Sequence, residues 1–441
     1  MRVAVIGAGH VGLVTGAALS SLGNEVVCMD ADASKVTMLT EGRAPFHEPD
    51  LDGMLEQGIA SGRLHFTGDV AEAVRGAQVV FVCVGRPPVG QGDKSLAAVE
   101  DSVRAIARHA ERGVVVVVKS TVPPGTAARI EGVIRLERPD LEFAVASSPE
   151  FLREGHAIED TLSPDRLVVG SDSERGSAVL RELYSLLIER GIRFIETDPL
   201  SAELSKLASN AFLATKISFS NALARLAERS GADVGDVAEI MGADPRIGSA
   251  FLGAGLGYGG YCLPKDVLTL ERVADRLGYD FGLLRETIRI NEEALEAVAR
   301  TVEEAVWNVE GKRIALLGLA FKAGTDDVRG APALALARRL LADGASLVGW
   351  DPMAGEEAAR ELPGLELASD PYQAAVGAHC AVVCTGWPEL RELDLAHLAN
   401  GMATPCLVDA RRAIDPGGAR AAGLDYRTVG RPGSAQPARG A

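Results

Sequence analysis

Residues 2–30 carry the pattern that most narrows the fold. Arg2-Val-Ala-Val-Ile6 is a continuous apolar strand of the kind buried on both faces of a parallel sheet. Gly7-Ala8-Gly9-His10-Val11-Gly12 follows at once, Leu13 to Leu22 reads as a helix, and Glu25 to Met29 reads as a second strand ending at Asp30. Strand, G-x-G-x-x-G turn and helix in that order build one half of a doubly wound α/β sheet. The glycines allow a tight turn and close approach of a pyrophosphate, which rests on the positive N-terminus of the helix. The turn is therefore predicted to hold a dinucleotide through Gly7, Gly9, Val11 and Gly12. Asp30 lies 18 residues beyond Gly12 and is placed to accept hydrogen bonds from a ribose diol. A carboxylate there repels a 2′-phosphate, so the expected cofactor is NAD rather than NADP. The alternative is a doubly wound fold without a nucleotide.

Further strand–loop units follow. Val79 to Val84 leads into Gly85-Arg86-Pro87, and Gly113 to Lys119 leads into Ser120-Thr121-Val122-Pro123. Loops at the carboxyl ends of parallel strands line the ligand crevice. Ser120 and Thr121 are thus candidates for cofactor or substrate contact, with helix capping as the alternative. Phe143 to Ser148 is another strand, followed by Glu150 and Glu154. Two carboxylates four residues apart suit proton transfer or ligand binding, or else a solvated first helical turn.

At 441 residues the chain exceeds one ordinary core. We expect an NAD-binding domain over 1–198, a helical central domain over 199–309, a second doubly wound half over 310–430, and a disordered tail over 431–441. The middle is introduced by Asp198-Pro199, a helix cap with proline at the first helical position. The helix expected from about 200 to 230 carries Lys206 and Asn210 one turn apart on a mostly apolar face. A buried lysine needs a partner or a purpose, although lysine also snorkels. A second helical stretch is expected from about Asp280 to Val309. The C-terminal half opens with a strand within Gly311 to Ala320 but lacks the G-x-G-x-x-G turn. Strands are expected at Ser346 to Trp350, Ala381 to Thr385 and Cys406 to Val408.

Between the helices lies Gly255-Leu-Gly-Tyr-Gly-Gly-Tyr-Cys262-Leu-Pro-Lys-Asp266, four glycines in six residues and then a thiol. Such a backbone approaches a ligand closely, and a cysteine there is positioned rather than packed; an incidental cysteine in a flexible turn is the alternative. Cys28, Cys83, Cys384 and Cys406 sit in apolar, strand-like runs where the thiol is a small buried hydrophobe. Neither a disulfide framework nor zinc spacing is present, which fits a reducing, cytoplasmic location. A net charge of −16, from 45 basic and 61 acidic residues, argues against a nucleic-acid binder. No apolar run is long enough to span a bilayer.

Taken as an ordered set, these motifs resemble the UDP-glucose/GDP-mannose dehydrogenase family. The match runs through Lys119-Ser-Thr-Val-Pro123, Ser148-Pro-Glu-Phe-Leu152, Glu203 to Phe212, Arg246-Ile-Gly248, Gly257 to Asp266 and Gly318 to Lys322. The resemblance implies two Rossmann-like domains joined by a helical one. It implies a four-electron oxidation of a sugar-nucleotide C6 alcohol to a carboxylate with two NAD. Cys262 would be the nucleophile, Lys206 and Asn210 the oxyanion partners, and Asp266, Glu150 and Thr121 the groups that move protons and order water. Asp30, Lys35, Arg86, Ser120, Thr121, Glu154, Lys265 and Arg329 would contact NAD. The substrate would meet Glu150, Phe151, Leu152, Lys206 and Asn210, then Phe251, Leu252, Gly253, Gly255, Gly257, Tyr258 and Gly259, and also Lys322 and Arg411. Arg246 would reach the substrate of a neighbouring subunit, so a homodimer is expected. Tyr261 before the cysteine, Gly85-Arg86-Pro87 and Ala410 depart from the family's commoner residues. The form of the cysteine loop favours UDP-glucose. GDP-mannose, a UDP-N-acetylhexosamine, or a two-electron lysine-dependent hydroxyacid dehydrogenase are the alternatives.

Overall fold

A computed structural model describes residues 1–85 and 96–432. It divides into two compact units between Ser209 and Asn210, a division that falls inside the helix Pro199–Ser230. Arg86 and residues 433–441 of the expected tail lie outside the described residues.

The first unit is built on an eight-stranded sheet. Its strands are β1 (Arg2–Ile6), β2 (Glu25–Met29), β3 (Leu64–Thr67), β4 (Val79–Val82), β5 (Val114–Val118), β6 (Phe143–Ser147), β7 (Arg166–Gly170) and β8 (Arg193–Thr197). They lie in the order β3-β2-β1-β4-β5-β6-β7-β8. Val3 of β1 sits opposite Val26 of β2 and Val79 of β4, all parallel; β6 and β7 alone meet antiparallel, at Ser147 and Gly170. Side chains alternate between faces, so Val3 and Val5 enter one apolar core while Ala4 and Ile6 enter the other. Burial on both faces explains the unbroken Val-Val-Val-Val-Val of β5. The strand order reverses between β1 and β4, and the loops after β1, β4, β5 and β6 leave from neighbouring carboxyl ends.

The first helix spans His10–Ser21 with Gly9 as its N-cap, so it begins inside the glycine turn rather than at Leu13. The last three residues of the turn, His10, Val11 and Gly12, are its first helical turn, and one apolar side chain among three carries no periodicity. A Cβ on Gly12 would be driven into the Gly7 carbonyl and would lie 3.0 Å from the Cys83 Cβ. Gly12→Ala is therefore expected to destabilise the first unit by about 1–3 kcal/mol or more. An unchanged urea midpoint would contradict that close approach.

The second unit holds a six-stranded parallel sheet. Its strands are β9 (Arg313–Leu317), β10 (Ser346–Trp350), β11 (Leu365–Leu367), β12 (Cys380–Val383), β13 (Cys406–Asp409) and β14 (Asp425–Thr428). The order is β11-β10-β9-β12-β13-β14. Before it come the remainder of Pro199–Ser230, then Val234–Gly242, Cys262–Arg276 and Gly282–Val306. The cysteine is not in a turn: it is the first residue of a helix. Gly260, with φ 78°, ends the irregular run, and Pro264 then sits in a first turn where its missing N–H costs nothing. Glu150 to Gly155 is not a first helical turn, since the next helix starts only at Ala157. Among the described residues, no helix is long and apolar enough to cross a membrane.

Candidate active site

On the first unit the glycine turn is open where a diphosphate would need it. Nothing lies within 4 Å of a Cβ built on Gly9, and no side chain caps the helix that starts at His10. The N–H groups of that first turn, at the positive end of the helix dipole, are the donors such a group requires. Asp30 closes the turn by accepting the Ala8 N–H at 2.9 Å and takes the Lys35 ammonium at 3.0 Å. The residues present thus fit NAD: Gly7 to Gly12 for the diphosphate and Asp30 with Lys35 for the ribose. Ser120 follows β5 and donates to the Val84 carbonyl at 2.8 Å, which ties the loops after β4 and β5 together. Thr121 follows it, half-buried, in the same loop.

The loop after β6 carries Glu150, Phe151, Leu152 and Glu154. Glu150 pairs with Lys206 at 3.1 Å, their side chains only 9% and 5% exposed. The other Glu150 oxygen accepts the Leu152 N–H at 2.8 Å. The Lys206 ammonium stands 5.4 Å from the centre of the Phe151 ring, and Arg166 lies 3.9 Å from the same ring. Lys206 is therefore buried with a partner, not snorkelling. One turn before it, Glu203 accepts the Gly125 and Ala127 N–H groups at 2.6 and 2.8 Å, which joins this helix to the loop bearing Thr121. Burial raises the Glu203 pKa against the pull of those bonds.

Glu48 was not foreseen from sequence. It is 5% exposed and meets His10 at 3.1 Å, while accepting the Gly155 and Ala157 N–H groups at 2.8 and 2.7 Å. One carboxylate thus ties the glycine turn to the loop bearing Glu150. Only its place after an apolar-aromatic stretch, Pro45-Phe46-His47, hinted at a buried role. Burial alone would raise its pKa; the His10 and backbone hydrogen bonds overcome this and hold it below the ordinary value. A depressed pKa gives stability that is present above the unfolded glutamate value of about 4.3 and lost as pH falls through the folded value. Glu48→Gln is expected to lower Tm at pH 7, and the gap to the parent should close as the pH falls below about 4. A gap independent of pH would show that the charge is not what matters.

In the second unit Asn210, Asp266 and Lys265 form a buried cluster. The Asn210 amide donates to Asp266 at 2.6 Å, Lys265 pairs with the other Asp266 oxygen, and Asp266 is wholly buried. Lys265 also lies 5.6 Å from the centre of the Tyr261 ring. Cys262 is exposed and stands one turn before Asp266 on the same helix. Burial pushes the Cys83 and Cys384 thiols up to about 12, leaving them as inert hydrophobes.

The glycine-rich loop is held by side chains reaching it from helices. Asn221 accepts the Gly255 N–H at 2.8 Å, and Asn291 accepts from the Tyr258 N–H at 2.7 Å and donates to its carbonyl at 3.1 Å. Phe251 holds a φ of 63°, unusual without glycine, beside buried Leu252 and open Gly253. A Cβ on Gly259 would press into the Gly330 carbonyl. Arg411 donates to the Cys384 carbonyl at 2.7 Å and the Gly257 carbonyl at 3.3 Å, and burial lowers its pKa. It therefore buttresses the loop from behind. Arg329 chelates Asp327 and lies 4.9 Å from the Tyr261 ring centre. Lys322 lies 5.8 Å from the Phe321 ring centre. Arg246 bonds Asp244 and projects outward, 88% exposed.

Comparison with known proteins agrees along the whole chain. Residues 1–188 match the NAD binding domain of the UDP-glucose/GDP-mannose dehydrogenase family, 200–293 its central domain and 315–416 its UDP binding domain. The chain is 43% identical over 436 residues to a UDP-glucose 6-dehydrogenase of Rhizobium meliloti, covering 98% of this chain and 100% of that one. It is 42% identical to the UDP-glucose 6-dehydrogenase YwqF of Bacillus subtilis, covering 98% of each. The solved structure of a UDP-glucose dehydrogenase from Pyrobaculum islandicum superposes with a TM-score of 0.91 at 38% identity, covering 97% of each chain. An NAD-binding oxidoreductase built of two doubly wound halves, the chain belongs to the UDP-glucose/GDP-mannose dehydrogenase family.

Proposed function

We propose that this chain oxidises the C6 alcohol of UDP-glucose to the carboxylate of UDP-glucuronate through a thioester on Cys262. Bound NAD, used twice, would supply the hydride acceptor. The observation that carries this reading is the exposed Cys262 at a helix start, one turn before the buried Asn210–Asp266 pair. UDP-glucose is chosen because the relatives above bear that name.

In the first oxidation the C6 alcohol loses a hydride and its hydroxyl proton and becomes an aldehyde. Cys262 Sγ gives its proton to Asp266 and bonds to the aldehyde carbon, and the carbonyl electron pair moves onto oxygen. The Lys206 ammonium and the Asn210 amide face that oxyanion and stabilise it. As the oxyanion reforms a carbonyl, the second hydride leaves and a thioester remains. Thr121 and Glu150 orient a water, and Glu150 takes its proton as the oxygen adds to the thioester carbon. The C–S bond then breaks, and Asp266 passes a proton to the departing sulfur. The sum is one alcohol and one water giving one carboxylate, two hydrides and three protons.

The glycine-rich loop from Phe251 to Gly259 would follow the substrate with its backbone, with Leu152 and Lys322 as further contacts. Lys265, Glu154 and Arg329 would contribute on the cofactor side. We place the reaction in the cytoplasm, where the five buried thiols stay reduced.

A homodimer completes this reading. Phe212, Phe219 and Leu226 recur every seventh residue on one helix face, 65%, 50% and 61% exposed. Such a stripe calls for a partner, and Arg246 extends far enough outward to serve a second subunit. Phe219→Glu is expected to yield a monomer by light scattering; an unchanged dimer would place the interface elsewhere.

The test of function is NADH formed per sugar against UDP-glucose, GDP-mannose and UDP-N-acetylhexosamines. Two NADH per UDP-glucose are expected. One NADH would sink the thioester route and favour a two-electron hydroxyacid-type reaction, and faster turnover of another sugar would overturn the substrate.

A further inference from the structure

The second unit contains a pocket of about 480 Å³ that the reaction above does not use. Its size suits a small-molecule ligand. Six arginines line it: Arg225, Arg229, Arg300, Arg420, Arg427 and Arg431. Only two carboxylates, Glu228 and Glu304, share the lining, in a chain whose net charge is −16. So strong a local reversal of sign needs a reason, since crowded like charges repel.

Internal pairing does not supply that reason for every arginine. Arg427 pairs with Asp425 at 3.0 Å and Arg431 with Asp233 at 2.8 Å. Arg225 donates to the Glu293 carbonyl at 2.5 Å. Burial and the neighbouring Arg300 and Arg229 act against its charge, while Glu228 and Glu293 favour it. Among the described residues, the side chains of Arg229, Arg300 and Arg420 make neither a hydrogen bond nor an ion pair. Glu228, for its part, already accepts the Gly430 N–H at 2.9 Å. Ala294, Ala297 and Val298 add an apolar wall.

Asn221 provides a second, independent sign. It lines the pocket and is 3% exposed, yet its amide nitrogen is buried without a hydrogen-bond partner. A buried donor left unmade is costly and marks a missing acceptor. Its oxygen meanwhile accepts the Gly255 N–H. One side chain therefore touches the arginine pocket and the glycine-rich loop at once. Gly255 is the only residue assigned above to substrate or cofactor that lines the pocket.

We propose that this pocket is a second ligand site, that it binds the phosphates of a small phosphorylated molecule, and that Asn221 transmits its occupancy to the glycine-rich loop. Guanidinium groups match phosphate oxygens in bidentate geometry, and several converging on one volume suit a di- or triphosphate rather than a carboxylate. The apolar wall leaves room for an organic group on the ester. The site stands whether or not UDP-glucose is the substrate.

The test is calorimetric titration of the full chain with inorganic pyrophosphate and, separately, with ATP, both in saturating NAD and UDP so that the catalytic sites are filled. The comparison protein is the double variant Arg229→Glu/Arg300→Glu. Both residues are exposed and make no bond among the described residues, so its fold and basal NADH production should match the parent. Binding is expected in the parent and at least about tenfold weaker in the variant. Tighter binding of ATP than of pyrophosphate identifies an organic phosphate, and equal binding identifies the inorganic group; either supports the site. Absence of binding by both probes at millimolar concentration, or binding the variant does not weaken, overturns it. The ligand should also change the NADH rate of the parent and not that of the variant. Binding with no change in rate would overturn the link through Asn221.

Discussion

Cys262→Ser is expected to lose steady turnover by at least about a thousandfold while still binding the nucleotide sugar. Cys262 is exposed and begins a helix, so exchange of sulfur for oxygen disturbs little packing. The chemistry suffers instead. A serine hydroxyl stays protonated at neutral pH, adds to an aldehyde slowly, and forms an ester that hydrolyses more slowly than a thioester. In the proposed route the first hydride transfer does not involve the thiol. A burst of NADH should therefore survive and then stall: near one equivalent per site where the aldehyde or its hemiacetal accumulates, and near two where the ester does, the ester alone being visible as added mass on the intact protein. Steady turnover close to the parent rate would refute Cys262 as the nucleophile.

Lys206→Met should act on rate and on stability together. On the rate side, the role proposed for Lys206 at the developing oxyanion predicts a loss of about 10²–10³-fold in kcat. On the stability side, methionine fills the space of the lysine stem but leaves Glu150 without its cation, 9% exposed at the side chain. Removing one member of a buried ion pair costs about 3–5 kcal/mol. The double change Lys206→Met/Glu150→Gln separates the two effects. It should recover most of the urea midpoint, because no charge is then stranded, and recover none of kcat. A single variant whose kcat stays within tenfold of the parent would remove Lys206 from the reaction. Loss of stability without loss of rate would make it a structural lysine only.

Both predictions concern residues whose identity was legible in the sequence and whose setting was not. The strands at the centre of each sheet were readable because burial on both faces demands unbroken apolar runs, as in Val114–Val118 and Cys380–Val383. The strands that were missed include every sheet edge: Leu64–Thr67, Arg193–Thr197, Leu365–Leu367 and Asp425–Thr428. An edge strand keeps solvent on part of its surface, so polar residues interrupt the pattern, as in Arg-Phe-Ile-Glu-Thr. In the sequence, Cys262 reads as part of the glycine-rich turn that runs to Gly260. The helix begins there because the last positive φ falls on Gly260, and Pro264 falls in the first turn, where its missing N–H costs no helical bond.

Composition and local spacing by themselves determined the glycine turn with its closing acid, the two doubly wound halves, and the lysine, asparagine and cysteine worth testing. These depend on neighbours within a few residues, where turn sterics and strand or helix period act directly on the chain. Chain folding over long separations decided the rest. Glu48 meets the backbone of Gly155 across 107 positions, Glu203 grips Gly125 across 78, and Asn210 finds Asp266 across 56. Whether a carboxylate is a solvated surface acid or a buried clamp depends on what the fold places against it. A single sequence records the residue and its neighbours, but not the partner that desolvates it.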